Sequence, residues 1–285
     1  MTPTGTRLAT FGGSSIRVEH SGHLAGEMIN FLFGHTGADA RVPTSATFQV
    51  ELSPIGTWTI QRNGCPYYQG DGMPDAARAL IEAASFSLAD RSVGGLLFHA
   101  AAVSRRDRVV LIPGQTGAGK TTLAGRLVDR GLRYLTDELS YVPDKSVSVL
   151  GFPRPLNVKP SGRDLLAHRV DGALRWPSLV SHTTALLHPL AARRSRQSRA
   201  SRLTVIVFPR RQRTAAPRLV PLDPGRAALR LMGSLLNARN LPDHGFPAVV
   251  ELARRIPAFE AVYDEVEQVE RSIEDLDITS RRRGR

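Results

Sequence analysis

Gly114-Gln115-Thr116-Gly117-Ala118-Gly119-Lys120-Thr121 fits G-x-x-x-x-G-K-[ST], the Walker A phosphate-binding loop of P-loop nucleotide enzymes. On its own the motif also describes a glycine-rich turn with a surface lysine, so its flanks decide the reading. Before it, Arg108-Val109-Val110-Leu111-Ile112 is a β-branched apolar run suited to a buried strand. After it, Thr122 to Arg130 carries Leu123, Leu127 and Val128 at helical spacing. Strand, loop and helix in that order are the context the motif requires. The glycines let backbone N–H groups turn inward around phosphate oxygens, and the helix start adds its positive dipole end. Lys120 reaches the outer phosphates and Thr121 offers a hydroxyl to Mg2+. The expected ligands of ATP or another NTP are therefore Gly114, Gln115, Thr116, Gly117, Ala118, Gly119, Lys120, Thr121 and Thr122.

Working outward, Leu96 to Ser104 is an apolar strand, Arg105-Arg106-Asp107 a short turn, and Arg108 to Ile112 the return strand, so the three form a hairpin. A turn centred near Arg106 sets His99 opposite Ile112 to Gly114, beside the phosphate loop. A histidine there has either a structural or a chemical role. Gly131 closes the loop's helix, Leu132 to Thr136 reads as the next strand, and Asp137 and Glu138 stand at its carboxyl end. In open α/β sheets ligands gather beyond the carboxyl ends of strands, which puts both acids in the crevice of Lys120. One acid can hold magnesium and the other can take a proton from an attacking hydroxyl, with either assignment open. The competing reading is an N-cap or solvated turn pair. Pro153 to Pro160 is a proline-punctuated loop presenting Arg154 and Lys159, of which Arg154 is a candidate nucleotide ligand.

The 285 residues suffice for one large domain or two modest ones. A single cysteine, Cys65, rules out an internal disulfide framework, and no basic and apolar leader or membrane-length apolar run is present, so the cytoplasm is the expected compartment. The net charge of +12 invites nucleic acid or a membrane surface as partner, yet the distribution argues against both. Eight arginines and no acids lie between Arg193 and Arg213, four more lie between Arg281 and Arg285, and together they account for the excess. The charge is thus expected on a loop and a tail, 191–202 and 281–285, either solvated and flexible or drawn to an acidic partner. Residues 1–45 give no clear periodicity. Ala46 to Leu52, Thr57 to Arg62 and Pro66 to Gln69 read as an antiparallel meander with a turn at Asn63-Gly64, and Ala76, Leu80, Ile81, Ala84 and Leu88 give the next segment a helical stripe. The division expected is an N-terminal α+β region over 1–94 and a P-loop domain over 95–280. In the latter, Leu203 to Phe208 reads as a buried strand, Pro224 to Ala238 and Phe246 to Arg254 as helices, Phe259 to Tyr263 as a strand and Val266 to Leu276 as a final helix.

His99-Ala100, the strand Arg108 to Ile112, the loop Gly114 to Thr121, Arg130-Gly131 and Asp137-Glu138, in that order and spacing, resemble the HPr kinase/phosphorylase-like proteins. The likeness covers about Leu96 to Lys159 and, loosely, Leu252 to Leu276. It implies an α/β fold with a P-loop core of the HPr kinase/PEP carboxykinase-like type, a mixed sheet with flanking helices, behind an N-terminal β-rich α+β part. It implies transfer of the γ-phosphoryl group of ATP to a hydroxyl with Mg2+, Lys120 and Thr121 serving phosphate and metal, Asp137 and Glu138 supplying metal ligand and base, and His99 tuning the acids. Homo-oligomers are a further implication. Two departures bear on the substrate: the second acid is Glu138 where aspartate is usual, and the Arg-Gly-x-Gly segment tied to phosphorolysis and HPr recognition is replaced by Pro153 to Pro160. The acceptor expected is therefore a Ser/Thr-type hydroxyl of another peptide, in a peptide-modification pathway, or of a small molecule. The alternatives are an NTP hydrolase, or a nucleotide-binding regulatory or scaffold protein. No Asn-Lys-x-Asp or Leu-Ser-Gly-Gly segment marks a GTPase or an ABC-type ATPase.

Overall fold

The structure is a computed structural model and describes residues 4–159, 162–170, 176–189 and 200–279. The chain forms two compact units, Met1–Val93 with Pro153–Gln197, and Gly94–Phe152 with Ser198–Arg285.

The first unit opens with β1 (Gly5–Phe11) and β2 (Ser14–His20), a hairpin turned by Gly12 and Gly13 at φ 56 and 76. Two residues with positive φ match the twist of the flanking strands, which is why glycines stand there. Helix α1 (His23–Phe33) then crosses over to β3 (Thr44–Leu52), parallel to β2. The meander follows through β4 (Trp58–Arg62), the Asn63-Gly64 turn and β5 (Cys65–Gly70), giving a sheet in the order β1-β2-β3-β4-β5. Alternate residues, among them Ile16, Val18, Phe48, Val50, Trp58 and Ile60, are buried on one face, and α2 (Met73–Asp90) turns Ala76, Leu80, Ile81, Ala84 and Leu88 inward.

In the second unit β6 (Gly95–Arg105) and β7 (Arg108–Pro113) form the expected hairpin, with Ala100 opposite Pro113 and Arg105 opposite Arg108 around a turn that holds Arg106 at φ 59. The register places His99 across from Gly114, one step beyond the last pair. After α3 (Lys120–Asp129) come β8 (Arg133–Thr136), β9 (Leu139–Pro143) and β10 (Ser148–Gly151). Strands β8 and β9 share one edge of β6: Thr136 pairs with Ala102 and Leu139 with His99. Because β6 runs antiparallel to both β7 and β8, their carboxyl ends emerge on the same side of the sheet, bringing Asp137 and Glu138 level with the loop that follows β7.

Pro153–Gln197 was expected in the P-loop domain, but it belongs to the N-terminal unit. It contributes β11 (Leu156–Asn157), α4 (Arg163–Val170), β12 (Ser178–Val180) and β13 (Ala185–Leu187), with strand order β11-β13-β12. Polar contacts with α2 explain the grouping: the Ser181, Thr183 and Thr184 hydroxyls all donate to Asp75, and Asn157 donates to Glu82 at 3.2 Å.

The chain then completes the second unit with β14 (Ser201–Arg211), β15 (Arg218–Leu222), α5 (Pro224–Met232), α6 (Phe246–Arg255), β16 (Ala258–Tyr263) and α7 (Glu267–Thr279). Strand order is β10-β9-β6-β7-β14-β16-β15, with β7–β14 and β14–β16 paired in parallel, the other neighbours antiparallel and β10 also pairing with β14, a mixed sheet that curls back on itself. The loop-and-tail expectation for the basic charge is corrected in part, since Arg202, Arg210 and Arg211 lie in β14 and the last two face Glu260 and Glu265 at 3.4 and 3.3 Å. Residues 191–199 and 281–285 lie outside the described residues. Helices α5 and α6 cover Leu96, Phe98, Ala100, Ala102, Val109 and Leu111. Helix α5 stops at Gly233 instead of running to Ala238, because Ser234 to Asn237 serve the first half of β6, where β7 does not reach. Ser234 O accepts from His99 N–H at 2.7 Å, Leu97 O accepts from Leu236 N–H, and the Asn237 amide bridges Leu97 N–H and Gly95 O. Buried backbone groups demand such partners.

Candidate functional site

The loop between β7 and α3 turns on Gly117 and Gly119, at φ 90 and 88, a region that a side chain makes costly. Gly119 is the residue at which α3 begins, and Leu123 N–H is the first to bond back, to Gly119 O at 2.9 Å. The preceding N–H groups of that first turn therefore have no i−4 carbonyl and carry the positive end of the helix dipole. Gln115, Thr116 and Gly117 are exposed, Gly114, Ala118, Gly119, Thr121 and Thr122 are half-buried, and Lys120 is buried at 6%. The Lys120 ammonium folds across the loop and donates to Gly114 O at 2.7 Å and Gln115 O at 3.0 Å. A phosphate offers the same ammonium stronger, charge-assisted bonds than those two neutral carbonyls do.

Thr121, on the first turn of α3, points at the acidic pair: its Oγ1 donates to Asp137 Oδ2 at 3.2 Å. The other oxygen, Oδ1, accepts from Tyr134 Oη at 3.1 Å, and Asp137 is buried at 1%. Glu138 has different surroundings. Its carboxylate is about one-third exposed, and its Oε1 lies 3.2 Å from Nε2 of His99. The backbone fixes both partners, since Ala100 N–H donates to Glu138 O and the Thr136 hydroxyl accepts from Glu138 N–H. Every residue of β6 from Gly95 to Ser104 is buried except His99, so one partly exposed ring interrupts the buried run.

The structure thus brings together Lys120, Thr121, Asp137, Glu138 and His99 at one end of the second unit's sheet. Arg154 belongs to the first unit. Expected as a cation presented by a loop, Arg154 is buried at 1% in the first unit, where its guanidinium donates to Ser85 Oγ at 3.0 Å. Nothing in the local proline pattern announces that interior position beside an α2 hydroxyl. Tyr134 was read only as a strand residue; no spacing rule links it to Asp137, because the contact is made at the irregular end of β8.

The donor set suits a hard cation. The Thr121 hydroxyl and the Asp137 carboxylate offer oxygens within 3.2 Å of each other, and these two residues would hold Mg2+, an ion that needs few protein ligands when phosphate and water are at hand. Among the described residues no cluster of three or more His, Cys, Asp or Glu is arranged to hold a metal by itself. A separate cleft of about 510 Å³ in this unit is lined by Leu96, Val142, Leu241 and Leu252. Strand alternation turns Leu96 to the face opposite His99, so that cleft is not part of the loop's surroundings.

Among the described residues no helix is long and apolar enough to cross a membrane. No family model matches the chain, and no curated protein sequence matches it. Among solved structures it is distantly similar to the HPr(Ser) kinase/phosphatase of Coxiella burnetii, with 12% identity, 63% of this chain and 87% of that chain covered, and a TM-score of 0.33.

Proposed function

We propose that the chain is a Mg2+-dependent kinase that transfers the γ-phosphoryl group of ATP to a hydroxyl of the Ser/Thr type, on a peptide or a small molecule. The observation that carries the reading is the 3.2 Å contact from Thr121 Oγ1 to Asp137 Oδ2, which ties the phosphate loop to an acidic pair whose second member is accessible.

In this reading the loop N–H groups and Lys120 grip the triphosphate, with the ammonium leaving the Gly114 and Gln115 carbonyls for phosphate oxygens. Thr121 and Asp137 hold Mg2+, which when bound neutralises charge on the phosphate oxygens. Tyr134 keeps the Asp137 carboxylate turned towards Thr121. Glu138, the more exposed acid, accepts the acceptor's proton as its oxygen attacks the γ-phosphorus and the bond to the β–γ bridging oxygen breaks, releasing ADP. His99 orients Glu138 through Nε2. Protein groups contribute position and charge, and phosphoryl transfer asks for little else.

The test is incubation with γ-labelled ATP, Mg2+ and a panel of Ser/Thr peptides and small alcohols. Label on an acceptor supports the kinase; label found only as free phosphate makes the chain a hydrolase; nucleotide bound without turnover makes it a regulatory or scaffold protein. Lys120→Ala is expected to lose nucleotide binding. Glu138→Gln is expected to keep it while transfer falls by roughly 10²–10⁴-fold, the range of general-base contributions. Wild-type turnover in both Glu138→Gln and Asp137→Asn removes the acids from the mechanism.

A further inference from the structure

Tyr263 ends β16 and is buried at 3%, yet its hydroxyl makes no hydrogen bond among the described residues. That hydroxyl is not among the polar atoms sealed from water, so the tip of an otherwise buried ring is open to an acceptor beside the loop. This hydroxyl lies 3.2 Å from the position a Cβ would take on Gly119, the left-handed residue at which the phosphate loop becomes α3. Burial pushes the phenol up to about 12, so it stands as a neutral donor at physiological pH.

The sheet order says which part of a nucleotide that donor faces. Strand β7, which carries the loop, has β6 and then β8 and β9 on one side, and β14 and then β16 on the other. The acidic pair thus stands two strands from β7 on one side and Tyr263 two strands from it on the other. Strands β7, β14 and β16 are parallel, so Tyr263 at the end of β16 sits at the loop's end of the sheet. A triphosphate laid over the loop with its reacting phosphorus beside Glu138 has its nucleoside end on the Tyr263 side.

We infer that Tyr263 is a nucleotide-binding residue whose hydroxyl donates to the nucleoside end of the bound nucleotide, at the α-phosphate or ribose oxygens. The inference rests on the nucleotide reading above and adds a ligand from a strand remote in sequence from the loop. It also accounts for glycine at position 119, where a side chain would meet the hydroxyl.

The experiment compares wild type and Tyr263→Phe by calorimetric titration with three Mg2+ complexes, those of ATP, ADP and inorganic pyrophosphate. Pyrophosphate has no nucleoside end, so it reads the loop alone. The expected result is a Kd for ATP and ADP raised about 3–10-fold, the worth of one hydrogen bond, with pyrophosphate unchanged. Retained pyrophosphate affinity also shows that the variant's loop is folded. Equal weakening of all three ligands would mean that Tyr263 only supports the loop, and overturns the inference. Unchanged ATP and ADP affinity in the variant overturns it while leaving the nucleotide reading intact. A wild-type protein that binds none of the three overturns both.

Discussion

Replacing His188 with phenylalanine should make the first unit less sensitive to acid. His188, just after β13, is buried at 1%, packed edge-on against Phe31 at 5.5 Å and tilted against His35 at 4.8 Å, and neither ring nitrogen has a hydrogen-bond partner among the described residues. Burial, with His35 beside it, pushes the imidazole down from 6.5 to about 3. The unfolded chain keeps the ordinary value, so between 6.5 and about 3 the unfolded state holds a proton that the folded state does not. Stability is therefore complete above 6.5 and falls as the pH drops through that window. At about 1.4 kcal/mol per pH unit for one proton, the loss reaches roughly 2 kcal/mol at pH 5. His188→Phe keeps the aromatic packing on Phe31 and removes both unpartnered nitrogens, so stability at pH 7.5 should hold or rise, by up to about 3 kcal/mol. Urea unfolding of wild type and variant at pH 7.5 and pH 5 reads the effect, and the gap between them should widen by roughly 2 kcal/mol at the lower pH. A gap that does not change with pH refutes the argument, because it means that the imidazole takes up its proton without unfolding.

Two further perturbations probe how the loop is held. Gly119→Ala puts a Cβ on a residue at φ 88, so unfolding should become easier by about 1–2 kcal/mol and ATP titration should show weakened binding; unaltered affinity would mean the loop tolerates another shape. Glu270, buried at 3%, joins α7 to α3 through Arg126 at 2.7 Å, and Glu270→Ala leaves that guanidinium without its nearest partner. Since Arg126 is partly exposed, denaturant unfolding should show a cost of about 2–4 kcal/mol, below that of a fully buried pair, and Glu270→Gln should recover part of it.

Much of the second unit was legible because its signals are local. The strand before the loop, the helix after it and the two-residue turn at Arg106 each arise from neighbouring residues, and the turn alone sets the register that leaves His99 across from Gly114. The meander over β3 to β5 and the buried stripe of α2 were readable for the same reason, since turn residues and periodicity act over a few positions. The first two strands were not, because a short hairpin in a Gly-, Ser- and Thr-rich stretch differs little from a loop until a sheet covers it. Helix α5 was read too long for a related reason: Leu235 and Leu236 keep the helical spacing, but the unpaired edge of β6 claims the backbone after Gly233.

The amino-acid order by itself determined the chemistry on offer: a loop shaped by glycines for phosphate, an ammonium, a hydroxyl and two adjacent carboxylates in one stretch of chain. Tertiary structure alone decided how the work divides. Tyr134 and Thr121 occupy both oxygens of Asp137, while His99 lies against Glu138 and leaves it partly in solvent, so two neighbouring acids have unlike environments. It also set Arg154 in the interior of the other unit and brought the Tyr263 hydroxyl to Gly119 from across the sheet. Contacts between residues far apart in the chain depend on which strands pair and on what packing leaves uncovered, and no spacing rule encodes either.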